Sequence, residues 1–142
     1  MNNRIQRGAA AIEFAIVAPL LLALLFGIIE FAIALFDQAM ITNASREGAR
    51  AGIVFNSGTP ITDAEIRARV SNYLGNHLIS LGGSSSHTTD RNCEGMCTSG
   101  DDLTVPVGYT YRFLVLRPLV ALMGGDLPST LNLSATTVMR ME

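Results

Sequence analysis

A chain of 142 residues with a formal net charge of −2 has room for one modest globular domain beside an apolar segment, and not for two. Its basic residues are all arginine and lie dispersed, so no positive stripe tracks a nucleic-acid backbone, and nucleic acid is not an expected partner. The lack of lysine excludes a Schiff-base lysine, a lysine-dependent cofactor and the lysine of a phosphate-binding loop, and no cofactor is expected.

Met1 to Gly8 is short, polar and basic through Arg4 and Arg7, and from Ala9 to Phe36 the chain is apolar apart from Glu13 and Glu30. At about 1.5 Å per residue such a run crosses a hydrocarbon core of roughly 30 Å with helix to spare, which makes the lipid bilayer an expected partner. A cleaved secretory signal is the alternative, with Ala32-Ile33-Ala34 as its small-x-small site. The run before that site is too long for a signal core, and Glu30 stands just upstream of it, so a retained span is favoured. Arg4 and Arg7 precede the run and Asp37 and Gln38 follow it, which keeps the N-terminus cytoplasmic and sends the rest of the chain outside.

An ionised glutamate in lipid costs on the order of 2.5–3.5 kcal/mol, so Glu13 needs a partner, and no cation inside the run supplies one. Were the chain cut after Gly8, Ala9 would present an α-amino group able to pair with Glu13 of a neighbouring chain and hold subunits in axial register. Glycine before the cut lets a membrane protease approach the backbone closely. The other reading is an anchor that carries a glutamate near its start. Pro19 removes one helical hydrogen bond and is expected to kink the membrane helix. Glu30 faces either a partner helix or water at the outer interface.

From Asp37 to Arg50 the pattern stays helix-compatible, with Ala39, Met40, Ala44 and Ala49 as small or apolar surface, so the span continues as a stem. Ala9 to Arg50 would be roughly 60 Å long. Arg46, Glu47 and Arg50 have the i,i+3 and i,i+4 spacings of a solvated helix face. After a loop at Asn56–Pro60, Thr62 and Glu65 form a capping-box signature for a helix running to about Leu78. Ile66, Val70, Tyr73, Leu74 and Leu78 make its core-facing stripe. Gly82 to Ser86 is loop by composition.

His87, Asp90, Cys93 and Cys97 are four potential zinc ligands, but their spacing matches no common finger, and an oxidising exterior favours a Cys93–Cys97 disulfide over metal or free thiols. Ser84-Ser85-Ser86-His87 lacks the nucleophile turn of a hydrolase. Glu13 and Glu30 lie roughly 25 Å apart along one helix, too far for an acid/base pair. No enzyme is expected.

Leu103, Val105, Val107, Tyr109, Tyr111 and Phe113 alternate as a strand with one buried face, and Pro106 marks it as an edge or bulged strand. Leu131, Leu133, Ala135, Thr137, Met139 and Met141 repeat the period, so the two strands should pair antiparallel. Between them Pro118 begins a short apolar helix ending at Gly124-Gly125, its leucines on the sheet, on the stem or at the membrane interface. The expected fold is α+β: a basic leader at 1–8, a transmembrane helix at 9–36, a helical stem at 37–50, and an exported domain of a helix and an antiparallel sheet at 51–142.

The stretch Arg7-Gly8-Ala9-Ala10-Ala11-Ile12-Glu13-Phe14 resembles a type IV prepilin processing site of the Flp type, with Phe14 where that pattern usually has tyrosine. With Pro19, with Ala44-Ser45-Arg46-Glu47-Gly48-Ala49-Arg50, and with the close from Ala135 to Arg140-Met141-Glu142, the chain resembles the TadE-like family of tight-adherence pilus assembly proteins. Nothing from about Gly52 to Asp102 contributes to the likeness. The resemblance implies a pilin-like fold, cleavage between Gly8 and Ala9 by a prepilin peptidase, and subunit pairing through Glu13 and Phe14. It further implies a minor pilin or pseudopilin that assembles or caps a pilus, in contact with other subunits and the assembly platform at the bacterial inner membrane.

Overall fold

The computed structural model describes residues 3–54, 61–75, 77–80, 87–93 and 98–141, with side chains from Gly8 onward. The expected loops at 56–60 and 82–86 and the residue Cys97 lie outside the described residues. The architecture is α+β. One helix, α1, runs unbroken over Asn3–Gly52, 50 residues, about 75 Å at the usual helical rise. The expected span and stem, and the expected leader from Asn3 on, thus lie in one continuous helix.

Helix α2, Asp63–Leu74, carries the expected capping box: the Thr62 N–H donates to Glu65 Oε2 at 2.9 Å and the Glu65 N–H donates to Thr62 Oγ1 at 3.4 Å. The Thr62 backbone N–H, and after it the Thr62 hydroxyl, hold the Glu65 carboxyl below its ordinary pKa. The helix ends at Leu74 rather than near Leu78, because Gly75 takes a φ of +43° and donates its N–H to the Ser71 carbonyl at 2.8 Å, a left-handed exit that glycine makes without strain. Leu78 still reaches the core from beyond the helix, at 5% exposure. Tyr73 does not. The buried ridge of α2 is Ile66, Val70 and Leu74, and Tyr73 falls off its side, partly open to solvent.

Among the described residues four strands form one antiparallel sheet: β1 His87–Thr89, β2 Asn92–Cys93, β3 Asp102–Arg112 and β4 Thr130–Arg140. The long pair β3–β4 keeps one register from Asp102↔Arg140 to Arg112↔Thr130. β1 and β2 lie end to end along the other side of β3. This corrects the expectation for Pro106, since β3 is the central strand and its pairing with β4 has no bulge. The Pro106 carbonyl accepts the Asp90 N–H at 3.3 Å. In an antiparallel strand a residue's N and C=O point the same way, so the missing N–H of Pro106 faces Asp90 and Arg91, where the chain breaks between β1 and β2 and no ladder bond is needed.

The inner face of β3, Leu103, Val105, Val107, Tyr109 and Tyr111, is buried against the C-terminal half of α1, on which α2 also packs. Tyr111 meets Phe113 edge to face, with ring centroids 5.5 Å apart. Met141, just past β4, is also buried, its N–H donating to the Asp101 carbonyl at 2.9 Å. The short helix α3 spans Leu116–Leu122, so Pro118 sits inside its first turn instead of opening it. α3 packs on α1, and none of its residues is buried.

Candidate membrane and subunit-contact site

α1 divides by what surrounds it. Among the described residues it is the one helix long and apolar enough to cross a membrane, and its most apolar stretch has no buried residue. Ile12, Phe14, Leu20, Leu24, Ile28 and Phe31 are all open on its surface. Beyond Phe36 the same helix becomes the backing of the sheet, with Asp37, Ile41, Ala44, Ser45 and Ala49 fully buried. One apolar N-terminal helix of this kind fits membrane anchoring.

The sequence-derived site lies on the uncovered half. Gly8 has nothing near the position of a side chain, and Ala9, Glu13 and Phe14 are exposed. The helix continues through Pro19, which leaves the Ala15 carbonyl without its intrahelical donor. Among the described residues Glu13 has neither an ion pair nor a hydrogen bond inside the chain.

Glu30 is the opposite case. It is 1% exposed, and its carboxylate receives the N–H groups of Leu114 and Val115 on Oε1 at 2.8 and 2.7 Å and that of Leu116 on Oε2 at 3.0 Å. Those groups open α3, where orphan N–H donors and the positive end of the helix dipole favour an anion. The partner sought on another helix or in water is therefore the α3 turn of the same chain. Its sequence signal was a second acid within the apolar run, together with a short helix that lacks a side-chain cap of its own.

The stretch Ala44 to Arg50 is a packing seam. Ala44, Ser45, Gly48 and Ala49 face inward while Arg46 and Arg50 face out. A Cβ on Gly48 would stand 2.6 Å from Val70 Cγ2, and one on Gly52 would come closer still to Leu103 Cδ2. Only glycine lets α2 and β3 approach this near. Ser45 Oγ donates to the Val105 carbonyl at 2.7 Å and lies 2.8 Å from Thr137 Oγ1. Asp37 Oδ1 accepts the Ile79 N–H at 2.9 Å, and Gln38 Nε2 donates to the Ser134 carbonyl at 2.9 Å. The sequence reading missed the role of Gly48 and Gly52. Ala44, Gly48 and Gly52, spaced by four, form a stripe of small residues on one helix face and were the available signal. Arg50 and Glu47 form an exposed ion pair at 3.2 Å.

Two of the four potential metal ligands have other partners. Asp90 accepts from Arg67 at 3.2 Å and from the Arg91 N–H at 2.8 Å, and Cys93 is disulfide-bonded. Burial, and after it the nearby negative charges of Glu30, Asp37 and the Tyr109 phenolate, push the Tyr111 hydroxyl up to about 12. Burial and the Asp37 charge also raise Tyr109, against a hydrogen bond with Ser80.

The profile of the family described as TadE-like protein matches residues 8–50. The match covers the uncovered half of α1 and its buried stem and stops where the sheet domain begins. No curated protein and no solved structure matches the chain.

Proposed function

With residues 8–50 TadE-like as the premise, we propose that this protein takes part in assembling a tight-adherence, Flp-type pilus as a minor pilin or pseudopilin. It sits in the bacterial inner membrane, N-terminus cytoplasmic and sheet domain outside, and is cut after Gly8 by a prepilin peptidase. It acts through contacts with other subunits and the assembly platform, not as an enzyme.

The observation that carries this reading is the contrast between two glutamates on one apolar helix. Glu30 is satisfied three times inside its own chain. Glu13, nearer the end of the helix and exposed, finds no described partner. A carboxylate in lipid without a partner is costly, and the α-amino group that cleavage would place on Ala9 of an adjacent subunit answers that need. The sheet domain supports the same role by holding the stem rigid through Ser45, Gly48 and Gly52, so that the free half of α1 projects from a fixed base.

The test is the intact mass of membrane-extracted protein from cells with and without a prepilin peptidase. The expected result is peptidase-dependent loss of Met1 to Gly8, blocked by Gly8→Leu, with Glu13→Ala processed yet failing in pilus assembly. Retention of the leader in both strains would overturn processing and leave an uncut anchor whose outer domain binds a secretion-machine partner.

A further inference from the structure

The α3 turn leaves an apolar surface that neither the sheet nor the stem covers. Leu122 is 78% exposed, and Leu114 and Met123 are each 50% exposed. A seven-residue helix is too short to persist in water on its own propensity, and the core does not bury it. What holds it is the Glu30 carboxylate on its first N–H groups and the contact of Leu116 Cδ1 with the face of Gly27, 3.5 Å from where a Cβ would stand.

Gly27 and Glu30 lie at an informative height. If the hydrocarbon core begins near Ala9, about 20 residues at 1.5 Å each fill its roughly 30 Å, which puts the outer boundary near Ile29. α3 docks at that level. Beside it α1 still exposes Phe31, Leu35 and Phe36, so the bare surface of α3 continues the bare surface of the membrane helix. Arg117, exposed on α3, has the long stem and charged head that reach from an apolar layer to phosphate headgroups.

We propose that Leu114 to Met123 forms a second membrane contact, lying in the outer interfacial layer of the bilayer beside α1 and pinned there by Glu30. The occupant of the apolar face is lipid, because that face is continuous with helix surface whose length and composition suit lipid. Glu30 then binds the sheet domain to the membrane surface at a fixed height. The inference rests on the reading that α1 spans a membrane.

The chain has no tryptophan, so a single Trp reports without background. Leu122→Trp, Leu24→Trp on α1 and Val138→Trp on the outer face of the sheet replace exposed side chains and leave the core untouched. Each full-length variant is reconstituted in phosphatidylcholine vesicles with brominated acyl chains. The expected result is blue-shifted emission and strong quenching for Leu122→Trp, approaching that of Leu24→Trp, most with bromine near the headgroups, and no quenching for Val138→Trp. Quenching of Leu24→Trp alone would overturn the inference while leaving the anchor intact. Blue-shifted but unquenched Leu122→Trp would mean a protein cover, a second copy or partner, and would overturn it too. Failure to quench Leu24→Trp would remove the anchoring premise itself.

Discussion

Glu30→Gln isolates the bond that joins the membrane helix to the domain. The substitution preserves size and removes charge. An amide oxygen in the place of Oε1 can still accept from Leu114 and Val115, but the amide nitrogen would confront the Leu116 N–H, now 3.0 Å from Oε2, with another donor. A hydrogen bond to a charged group is worth about 1.5–3 kcal/mol, and every 1.4 kcal/mol or so is a factor of ten. Amide exchange at Leu116 should therefore speed roughly 10- to 100-fold. The assay is hydrogen exchange on the full chain in lipid nanodiscs, with Val105 and Val107 amides in the centre of the sheet as internal reference. Glu30→Ala removes all three acceptors and should release Leu114 and Val115 as well. An unchanged Leu116 rate in Glu30→Gln would refute the capping role. Equal acceleration at Val105 would show that Glu30 stabilises the whole domain rather than the α3 junction.

Gly48→Ala should lower the melting temperature despite alanine's gain in helix propensity of about 1 kcal/mol, because the new methyl meets Val70 and Val105. Their branched side chains cannot swing aside, and overpacking costs about 1–3 kcal/mol. Gly27→Ala, whose methyl meets Leu116 at ordinary contact distance, should be neutral or stabilising in the same melt, and equal losses at both sites would refute the seam. Thr62→Ala should cost about 1 kcal/mol by chemical denaturation through loss of the α2 cap. Since the folded Glu65 carboxyl is depressed below its ordinary 4.5, in part by the Thr62 hydroxyl, that hydroxyl's share of the stability is present above that pH and fades as pH falls below it. The gap between wild type and Thr62→Ala should therefore narrow in acid without closing, the Glu65 N–H bond to Thr62 Oγ1 being untouched by protonation. At alkaline pH the sign reverses. Tyr109 and Tyr111 are raised above 10.0, Tyr111 to about 12, so the folded state keeps protons that the unfolded chain releases, and stability should fall as pH climbs from about 10 toward 12. Tyrosinate absorbance of the folded protein that was complete near pH 10 would contradict this.

The apolar run from Ala9, the glutamate at 13 and the capping box at Thr62 were legible because each is a local signal: length against bilayer thickness, one charge in an apolar run, one side chain three residues from its partner. The alternations at 103–113 and 131–141 were legible for the same reason, and their antiparallel pairing followed from two matching periods. A single chain could not show which side of β3 would lack a neighbour at Pro106. That was decided when β1 and β2 docked end to end and left a break opposite the residue with no N–H to give. Nor could it show that Tyr73 would miss the core, which depended on which ridge of α2 turned toward α1. The partner of Glu30 lies 84 to 86 residues away, and the small residues at 44, 48 and 52 gained meaning only once α2 and β3 closed on them. Local order follows from neighbours along the chain, whereas the satisfaction of a buried charge and the fit of a bare helix face depend on contacts that exist only after folding.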